Sequence, residues 1–181
     1  MPVNAVFALV LSLLAPPLPP PPTPPGCLLA PVAAPIVDRF REPPCPWCPG
    51  NRGLEYGVAA AEPVRAAAAG TVTFNGVVAG TRYLVVEHVD GLRATYGRLD
   101  ASPLIVDQRV LAGAVVGLSG DDGLYFGLRR GDGYIDPQPL LGRLVERWRL
   151  LPTDGSTPRS APPPRWRCPG LPALGGDGPG S

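Results

Sequence analysis

The chain has no lysine and a single histidine, His88, among its 181 residues. All 16 basic residues are arginine, and 15 acidic residues nearly balance them. The arginines form no stripe interleaved with aromatic residues, so the sequence lacks the pattern of a nucleic-acid-binding surface.

The sequence also lacks an apolar run long enough to cross a bilayer as a helix. Residues 5–15 form an apolar run of 11 residues, which is the length of a signal-peptide core. No basic side chain precedes Arg39, so the positive segment that usually begins a signal peptide is missing. We nevertheless expect export with cleavage near residues 32–34 and no membrane span in the mature chain; an unstructured leader is the alternative.

Proline is scarce only in the middle of the chain. Of the 27 prolines, 15 lie in residues 1–50, 4 in residues 51–150 and 8 in residues 151–181. Proline lacks a backbone donor and is excluded from central strands. We therefore predict a folded core over residues 36–150. Residues 1–35 are predicted to be a signal peptide and Pro-rich leader, and the C-terminal stretch a disordered Pro/Gly-rich tail.

Short β-like segments separated by glycine turns fill the predicted core. Asn75-Gly76 and Asp90-Gly91 are dipeptides typical of hairpin turns. Residues 83–89 and 92–99, on either side of the second dipeptide, are predicted strands. The pattern predicts an all-β fold, an antiparallel β-sheet sandwich or a barrel-like sheet.

Four cysteines, Cys27, Cys45, Cys48 and Cys168, raise the question of disulfides or metal. The middle two have CxxC spacing. A zinc knuckle would need a second such pair, and a thioredoxin-type redox site would need an α/β setting. We favour a local disulfide between Cys45 and Cys48, with the zinc, redox and free-thiol alternatives open. A pairing of Cys27 with Cys168 requires that signal cleavage spares Cys27, and the sequence leaves it open.

Four ordered segments resemble those of one known family. Residues 50–55 read GNRGLE, and residues 64–72, 85–96 and 122–137 follow in order. These segments resemble the M23 (lysostaphin/LytM-like) peptidoglycan metalloendopeptidases, in which the first segment reads G-H-x-G-x-D and the last contains H-x-H-F-G. The likeness covers about residues 36–142 and is greatest to the short actinobacterial members. It implies a β-sheet core of the M23 type.

The resemblance also identifies functional positions that hold other residues. Asn51, Glu55 and Tyr125 stand where the family has its zinc ligands, and Gly123 and Arg98 stand where it has further histidines, the first of them catalytic. A neutral amide is a poor zinc ligand, and an ordinary tyrosine, with a pKa near 10, must first lose its proton. Arginine cannot act as a base but can hold a carboxylate. We therefore expect no catalytic residue and no zinc or other cofactor.

The resemblance and the substituted positions together imply a degenerate, non-catalytic member of the family. Such a domain would be exported or associated with the cell wall, and would bind peptidoglycan or regulate a cell-wall hydrolase. The candidate ligand-binding residues of its groove are Arg52, Glu55, Tyr56 and Arg98. Trp47 and Tyr56 would form an aromatic wall beside them.

Two other hypotheses stay open. The first is an active, zinc-dependent M23 endopeptidase with a rearranged site built from Glu55, His88 and Tyr125. Against it, His88 matches a strand position outside the family's zinc site, where local packing is the expected role. The second is a structural protein that acts through its Pro-rich tails, including residues 165–168.

Overall fold

The computed structural model describes residues 26–45, 47–145 and 165–168. These residues form short β-strands and a single 3-10 turn, Gln138–Leu140. In chain order the strands are β1 (Leu28–Leu29), β2 (Ile36–Asp38), β3 (Leu54–Tyr56), β4 (Pro63–Arg65), β5 (Gly70–Val78), β6 (Thr81–His88), β7 (Leu92–Ala101), β8 (Arg109–Val110), β9 (Val115–Ser119), β10 (Leu124–Arg130), β11 (Gly133–Ile135), β12 (Leu141–Val145) and β13 (Arg165–Arg167). The described residues contain no helix long and apolar enough to span a membrane.

A large antiparallel sheet carries most of these strands. Its order is β2-β3-β10-β7-β6-β5-β8, with β11 beside β10 and with β9 joining β4 to β7. A second, three-stranded sheet has the order β1-β12-β13, and within it β1 runs parallel to β12. The prediction of an all-β antiparallel fold is confirmed, and the parallel pair is an addition to it.

The central strands of the large sheet have one buried face and one open face. Side chains alternate between the two faces of a strand, so the residues opposite one another across the sheet share a face. On the core face the large side chains are completely buried: Leu54, Leu84, Val86, Tyr96, Leu124, Phe126 and Leu128. The rings of Tyr96 and Phe126 lie 5.4 Å apart at their centroids. The open face carries the residues between these.

The predicted turn at Asn75-Gly76 is wrong. Both residues lie inside β5 and pair with β6, and the chain reverses at Ala79 and Gly80, whose φ angles are 50° and 82°. The Asn75 Nδ2 group donates a hydrogen bond to the Leu104 carbonyl at 2.6 Å. The Asn75 side-chain amide, which could otherwise stabilise a local turn, is therefore bonded to a loop that is distant in sequence.

The folded unit begins before residue 36. Leu28 and Val32 are 4% and 8% exposed and belong to the hydrophobic core. The predicted leader, residues 1–35, therefore extends too far, because its last part packs into the fold. Cleavage near residues 32–34 would remove both side chains from the core. Residues 1–25 lie outside the described residues.

The predicted disordered tail is also wrong for one short segment. Arg165–Arg167 forms β13 on the edge of β12, and Cys168 forms a disulfide with Cys27 across a sequence separation of 141. A Cβ atom on Gly142 would overlap the sulfur atoms of both cysteines, so only glycine fits beneath this bond. The rest of residues 151–181 lies outside the described residues.

Candidate functional site

The strand register places Glu55 and Tyr125 side by side on the open face. Tyr125 of β10 pairs with Glu55 of β3 on one side and with Gly97 of β7 on the other. Arg98 directly follows Gly97 in the chain. Four positions, Glu55, Gly97, Arg98 and Tyr125, therefore lie close together on the sheet. Two of the three positions compared above with zinc ligands are thus direct neighbours.

Arg98 reaches this point because β7 is irregular there. The pairing of β7 with β6 shifts register at this residue, and Arg98 has a φ of 62° in the left-handed region. Such a conformation is uncommon for a residue with a side chain, and at a β-bulge it redirects that side chain. The bulge turns the guanidinium toward Glu55 of β3.

Arg98 and Glu55 form a two-pronged ion pair. The Arg98 Nη2 atom lies 2.9 Å from Oε1 of Glu55, and Nη1 donates to Oε2 at 3.0 Å. Nη1 also donates to the Asp122 carbonyl at 3.2 Å. The two side chains are 33% and 25% exposed, so the pair is partly shielded from water. A bidentate guanidinium–carboxylate pair uses both oxygens that Glu55 could offer to a metal.

The only potential metal-ligand atom of Asn51, its amide oxygen Oδ1, faces the backbone. The residue is 7% exposed and pairs through its backbone with Arg41. Its Oδ1 atom accepts a hydrogen bond from the Gly53 N–H at 3.2 Å. This is a local turn contact, in which the amide shapes the loop leading into β3.

The Tyr125 ring packs against three glycines. A Cβ atom on Gly53 would lie 2.8 Å from the ring, one on Gly97 3.1 Å, and one on Gly127 2.7 Å from the Tyr125 hydroxyl. These three glycines therefore provide the space that the ring fills. Burial, with smaller contributions from Tyr134 and Tyr83, raises the pKa of Tyr125 to about 12. The phenol keeps its proton at neutral pH and is a poor metal ligand in that form.

Gly123 is held in a conformation that leaves no room for a side chain. Its φ is +76°, and a Cβ atom would overlap the carbonyl oxygen of Tyr56. Its N–H donates to the Gly120 carbonyl at 3.3 Å, which closes a tight turn before β10. A histidine at this position would require the backbone to move.

The prediction that Tyr56 lines the groove is wrong. Tyr56 is 3% exposed and shares the core face of β3 with Leu54, whereas Glu55 between them faces the other way. Burial raises the pKa of its hydroxyl strongly. The signal was available in the sequence, because residues two apart on a strand share a face. Trp47 therefore has no aromatic partner in Tyr56.

His88 lies at the opposite end of the sheet from the ion pair. It comes five positions after Tyr83, the residue of β6 that pairs with Gly97, which amounts to about 17 Å along the strand. Its Nδ1–H donates to the Ala69 carbonyl at 2.9 Å, and burial lowers its pKa. The expectation of local packing is confirmed. The hypothesis that placed His88 in one site with Glu55 and Tyr125 is wrong in that respect.

The residues at this point do not fit a zinc ion. Within the described part of the chain, no three His, Cys, Asp or Glu side chains lie together as a metal-binding group. Of the three positions compared with zinc ligands, Glu55 alone carries a conventional ligand group, and Arg98 neutralises its charge. The carboxylate of Asp38, which pairs with Glu55 across β2 and β3, is itself engaged by Arg41. Zinc sites in proteins use nitrogen, thiolate or carboxylate donors in sets of at least three.

Sequence reasoning missed an aromatic surface beside the ion pair. Tyr83 of β6, Tyr125 of β10 and Tyr134 of β11, here called the tyrosine floor, lie on the open face, with Gly97 of β7 between the first two. The guanidinium carbon atoms of Arg52 and Arg129 lie 5.6 and 5.0 Å from the Tyr134 ring centre. Such contacts are favourable cation–π interactions. The alternation of Tyr125, Gly127 and Arg129 along β10 was the available signal.

The loop before β3 carries a disulfide and an exposed tryptophan. Cys45 and Cys48 are bonded, which confirms the predicted local disulfide, and the Cys48 N–H donates to the Cys45 carbonyl at 3.1 Å. Trp47 between them is 94% exposed.

Comparison with known sequences agrees with this architecture. The family model described as Peptidase family M23 matches residues 49–137. An uncharacterized protein of Mycobacterium tuberculosis, Rv2891, is 31% identical over 134 residues, and the match covers 67% of this chain. The chain spans about half the length of the curated relatives that it matches, 53% in this case.

Solved structures show the same fold. Helicobacter pylori Csd3 superposes with a TM-score of 0.56 and 26% identity over 64% of this chain and 34% of its own. The catalytic domain of the antimicrobial peptidase lysostaphin from Staphylococcus simulans superposes with a TM-score of 0.52 and 21% identity. That match covers 59% of this chain and 90% of the lysostaphin domain, and it supports the fold alone. From the family match, the sheet and the strand register together, the folded core of this chain belongs to peptidase family M23.

Proposed function

We propose that this M23 domain is an exported module that binds peptidoglycan at the cell wall without cleaving it. Membership of the family supports a peptidoglycan-related role. The substituted site supports binding over hydrolysis. The two disulfides support an oxidising compartment, because disulfides persist mainly outside the cytosol.

The Glu55–Arg98 ion pair is the observation that carries this proposal. A zinc ion at Glu55 would have to displace a guanidinium that already engages both carboxylate oxygens. The neighbouring Tyr125 would have to lose a proton against a pKa of about 12. Both costs oppose metal binding, and the bound metal is what activates water and polarises the amide in metal-ion catalysis.

The open face still offers groups that bind a polar ligand. The tyrosine floor presents flat apolar surface with hydroxyls at its edge, which suits sugar rings and peptide bonds. Arg52 and Arg129 border it with positive charge. A groove that combines aromatic surface with a few polar and charged groups is typical of ligand sites.

The proposal is tested with the full chain, disulfides intact, and insoluble peptidoglycan. Co-sedimentation measures binding, and the release of soluble fragments, with and without added zinc, measures hydrolysis. We expect saturable binding and no release in either condition. A Tyr125→Ala variant should bind more weakly, whereas Val89→Ala, at a fully exposed position near the other end of the sheet, should bind as the native protein does.

Two results would contradict the proposal. Release of fragments that rises with zinc would support the active endopeptidase. Absence of binding to peptidoglycan would remove the wall as ligand, and co-purification with a cell-wall hydrolase would then favour a regulatory partner. A role through the tails is tested with a chain cut to residues 26–145, and retained biological function would exclude that role. Because the cut removes Cys168, the disulfide partner of Cys27, the truncated chain should also carry Cys27→Ser.

A further inference from the structure

Two arginines lie opposite one another on the open face of the sheet. Arg129 of β10 pairs in register with Arg93 of β7, and residues paired in this way have their side chains on the same face. Like charges that lie directly opposite across two strands destabilise a sheet. The Glu55–Arg98 ion pair involves neither of these arginines. An anion bound between the two guanidinium groups would remove their repulsion.

Both guanidinium groups reach the turn between β10 and β11. Arg93 Nη2 donates a hydrogen bond to the Gly131 carbonyl at 2.9 Å. Arg129 Nη2 lies 3.6 Å from Oδ1 of Asp132, which is fully exposed, so solvent screens the contact and a ligand can displace this carboxylate. Glu87 of β6 is the register partner of Arg93, but Arg93 forms no ion pair with any residue that the structure describes.

An aromatic ring holds the Arg129 guanidinium in place. Its carbon atom lies 5.0 Å from the ring centre of Tyr134, the register partner of Arg129 on β11. Arg52 contacts the same ring at 5.6 Å and brings a third positive charge to this part of the face. The Arg129 Nε atom is buried and has no hydrogen-bond partner among the described residues. The Arg129 guanidinium is therefore ordered before a ligand arrives and keeps donor capacity that the fold does not use.

Small residues lie next to the two arginines on the open face. Gly127 of β10 pairs with Thr95 of β7, two positions from Arg129 and Arg93 along their strands. The Tyr125 hydroxyl lies above this pair, 2.7 Å from the point that a Cβ atom on Gly127 would occupy. Burial raises the pKa of Tyr125 to about 12, so the hydroxyl keeps its proton, and it makes no hydrogen bond to a described residue. It can therefore donate to a ligand that the arginines bind.

The charges around this point favour a ligand with a single negative charge. The arginines are Arg52, Arg93 and Arg129, and the acids beside them are Asp132 and Glu87. One positive charge is therefore in excess, which a carboxylate neutralises and a phosphate dianion exceeds. Guanidinium and carboxylate groups also match in shape through paired N–H···O hydrogen bonds.

We infer that Arg93 and Arg129, together with the Tyr125 hydroxyl, form a binding site for a carboxylate group. The carboxylate accepts hydrogen bonds from both guanidinium groups and takes the place of Asp132 beside Arg129. A peptide C terminus and an acidic side chain both present this group. The inference rests on the proposed function for the use of the open face as the ligand surface, and it assigns the chemistry of one ligand group there.

NMR titration of the full chain, with its disulfides intact, tests the inference through the arginine Nε–H signals. The probe is acetyl-alanyl-alanine with a free C-terminal carboxylate, and its C-terminal amide is the neutral control. We expect the acid, at millimolar concentration, to shift the signals of Arg93 and Arg129 saturably and the amide to leave them unchanged. Acetyl-alanyl-glutamate amide carries the carboxylate on a side chain instead. Binding of either acid supports the site, and the tighter one identifies the source of the carboxylate.

Three single substitutions locate the bound carboxylate. Arg129→Gln should weaken binding about tenfold, because one charged donor group is lost. Arg130→Gln is the matched control: it removes the same charge from the next position, which faces the other way and pairs with Asp90 at 3.1 Å, and it should leave the affinity unchanged. Asp132→Asn removes the competing carboxylate and should tighten binding about threefold.

Three results would each overturn the inference: equal shifts with the acid and the amide, equal losses in Arg129→Gln and Arg130→Gln, or tighter binding of inorganic phosphate than of the acid. Co-sedimentation with peptidoglycan separates the inference from the proposed function. If the native chain sediments with the wall but binds none of the acids, the carboxylate site is overturned and the proposed function stands. If it binds an acid through Arg129 but does not sediment with the wall, the proposed function fails and the carboxylate site stands.

Discussion

The two faces of the central sheet differ in what their side chains do. On the core face, alternate residues of β3, β10, β7 and β6 are buried and, except for His88 at the end of β6, apolar or aromatic. On the open face, the same strands carry an ion pair, tyrosines and glycines. The core face therefore contributes more to the stability of the fold, and substitutions on the open face should cost less. This division lets the residues around Glu55 and Tyr125 vary at less cost to the sheet than those of the core.

Neighbouring residues of β10 give the largest expected contrast between the faces. Phe126 is completely buried on the core face, and Phe126→Ala should lower the free energy of unfolding by about 3–5 kcal/mol. Tyr125→Ala, one position earlier on the open face, should cost less than half of that, because its ring is partly exposed and rests on glycine backbone. Urea unfolding followed by circular dichroism measures both. Equal losses would show that the open face also supports the fold.

Two glycines with positive φ, one before β10 and one after it, sharpen the comparison. Gly123→Ala should cost about 2–3 kcal/mol, because the added methyl group is strained and also meets the Tyr56 carbonyl. Gly131, with a φ of +57° and open space around it, is the matched control. Gly131→Ala should cost only about 1 kcal/mol, the conformational part. Thermal unfolding of the two variants compares them, and similar midpoints would mean that the turn before β10 yields easily.

His88 on the core face should make the stability of the fold depend on pH. Burial lowers the pKa of His88 in the folded state below the ordinary 6.5. Just below pH 6.5, His88 therefore takes up a proton in the unfolded chain but stays neutral in the folded chain. The contribution of His88 is present above pH 6.5 and is lost as the pH falls through the folded-state pKa. His88→Gln should flatten the acid limb of a stability-against-pH curve. An unchanged curve would assign acid destabilisation to other groups.

The ion pair on the open face should give the smallest effect on stability. Because Arg98 and Glu55 are 33% and 25% exposed, solvent screens their attraction, and the coupling should be about 1 kcal/mol. A double-mutant cycle with Arg98→Ala and Glu55→Gln, measured by urea unfolding at low and high salt, gives this value. Coupling near zero at low salt would mean that the pair does not join β3 to β7 in solution.

Much of the fold was available from the sequence. Alternating segments and glycine turns predicted an antiparallel β-protein, and the order of the motifs predicted the M23 type. Asn75-Gly76 misled because a turn dipeptide describes only local preference, and Leu104, remote in sequence, decided its conformation. The docking of Leu28 and the bond between Cys27 and Cys168 depend on contacts between the two ends of the described chain, which no local pattern reports.

The site was predictable only in part. The positions of the site followed from the motifs, and arginine chemistry indicated that Arg98 is able to hold a carboxylate. The identity of that carboxylate, Glu55, depends on a bulge in β7 and on a partner 43 positions away. The tyrosine floor depends on strand register, which sets Tyr83 and Tyr134 near Tyr125. Pairing across the sheet, not spacing along the chain, brings these residues together.

Calorimetric zinc titration of the full chain tests the central claim most directly. The control variant combines Asn51→His, Glu55→Asp, Tyr125→His and Arg98→His, and leaves Gly123 unchanged because that position has no room for a side chain. The account predicts no stoichiometric zinc binding by the native chain at neutral pH and a gain of binding by the control. One zinc ion bound tightly by the native chain would contradict it, because the Glu55–Arg98 pair would then have yielded to a metal.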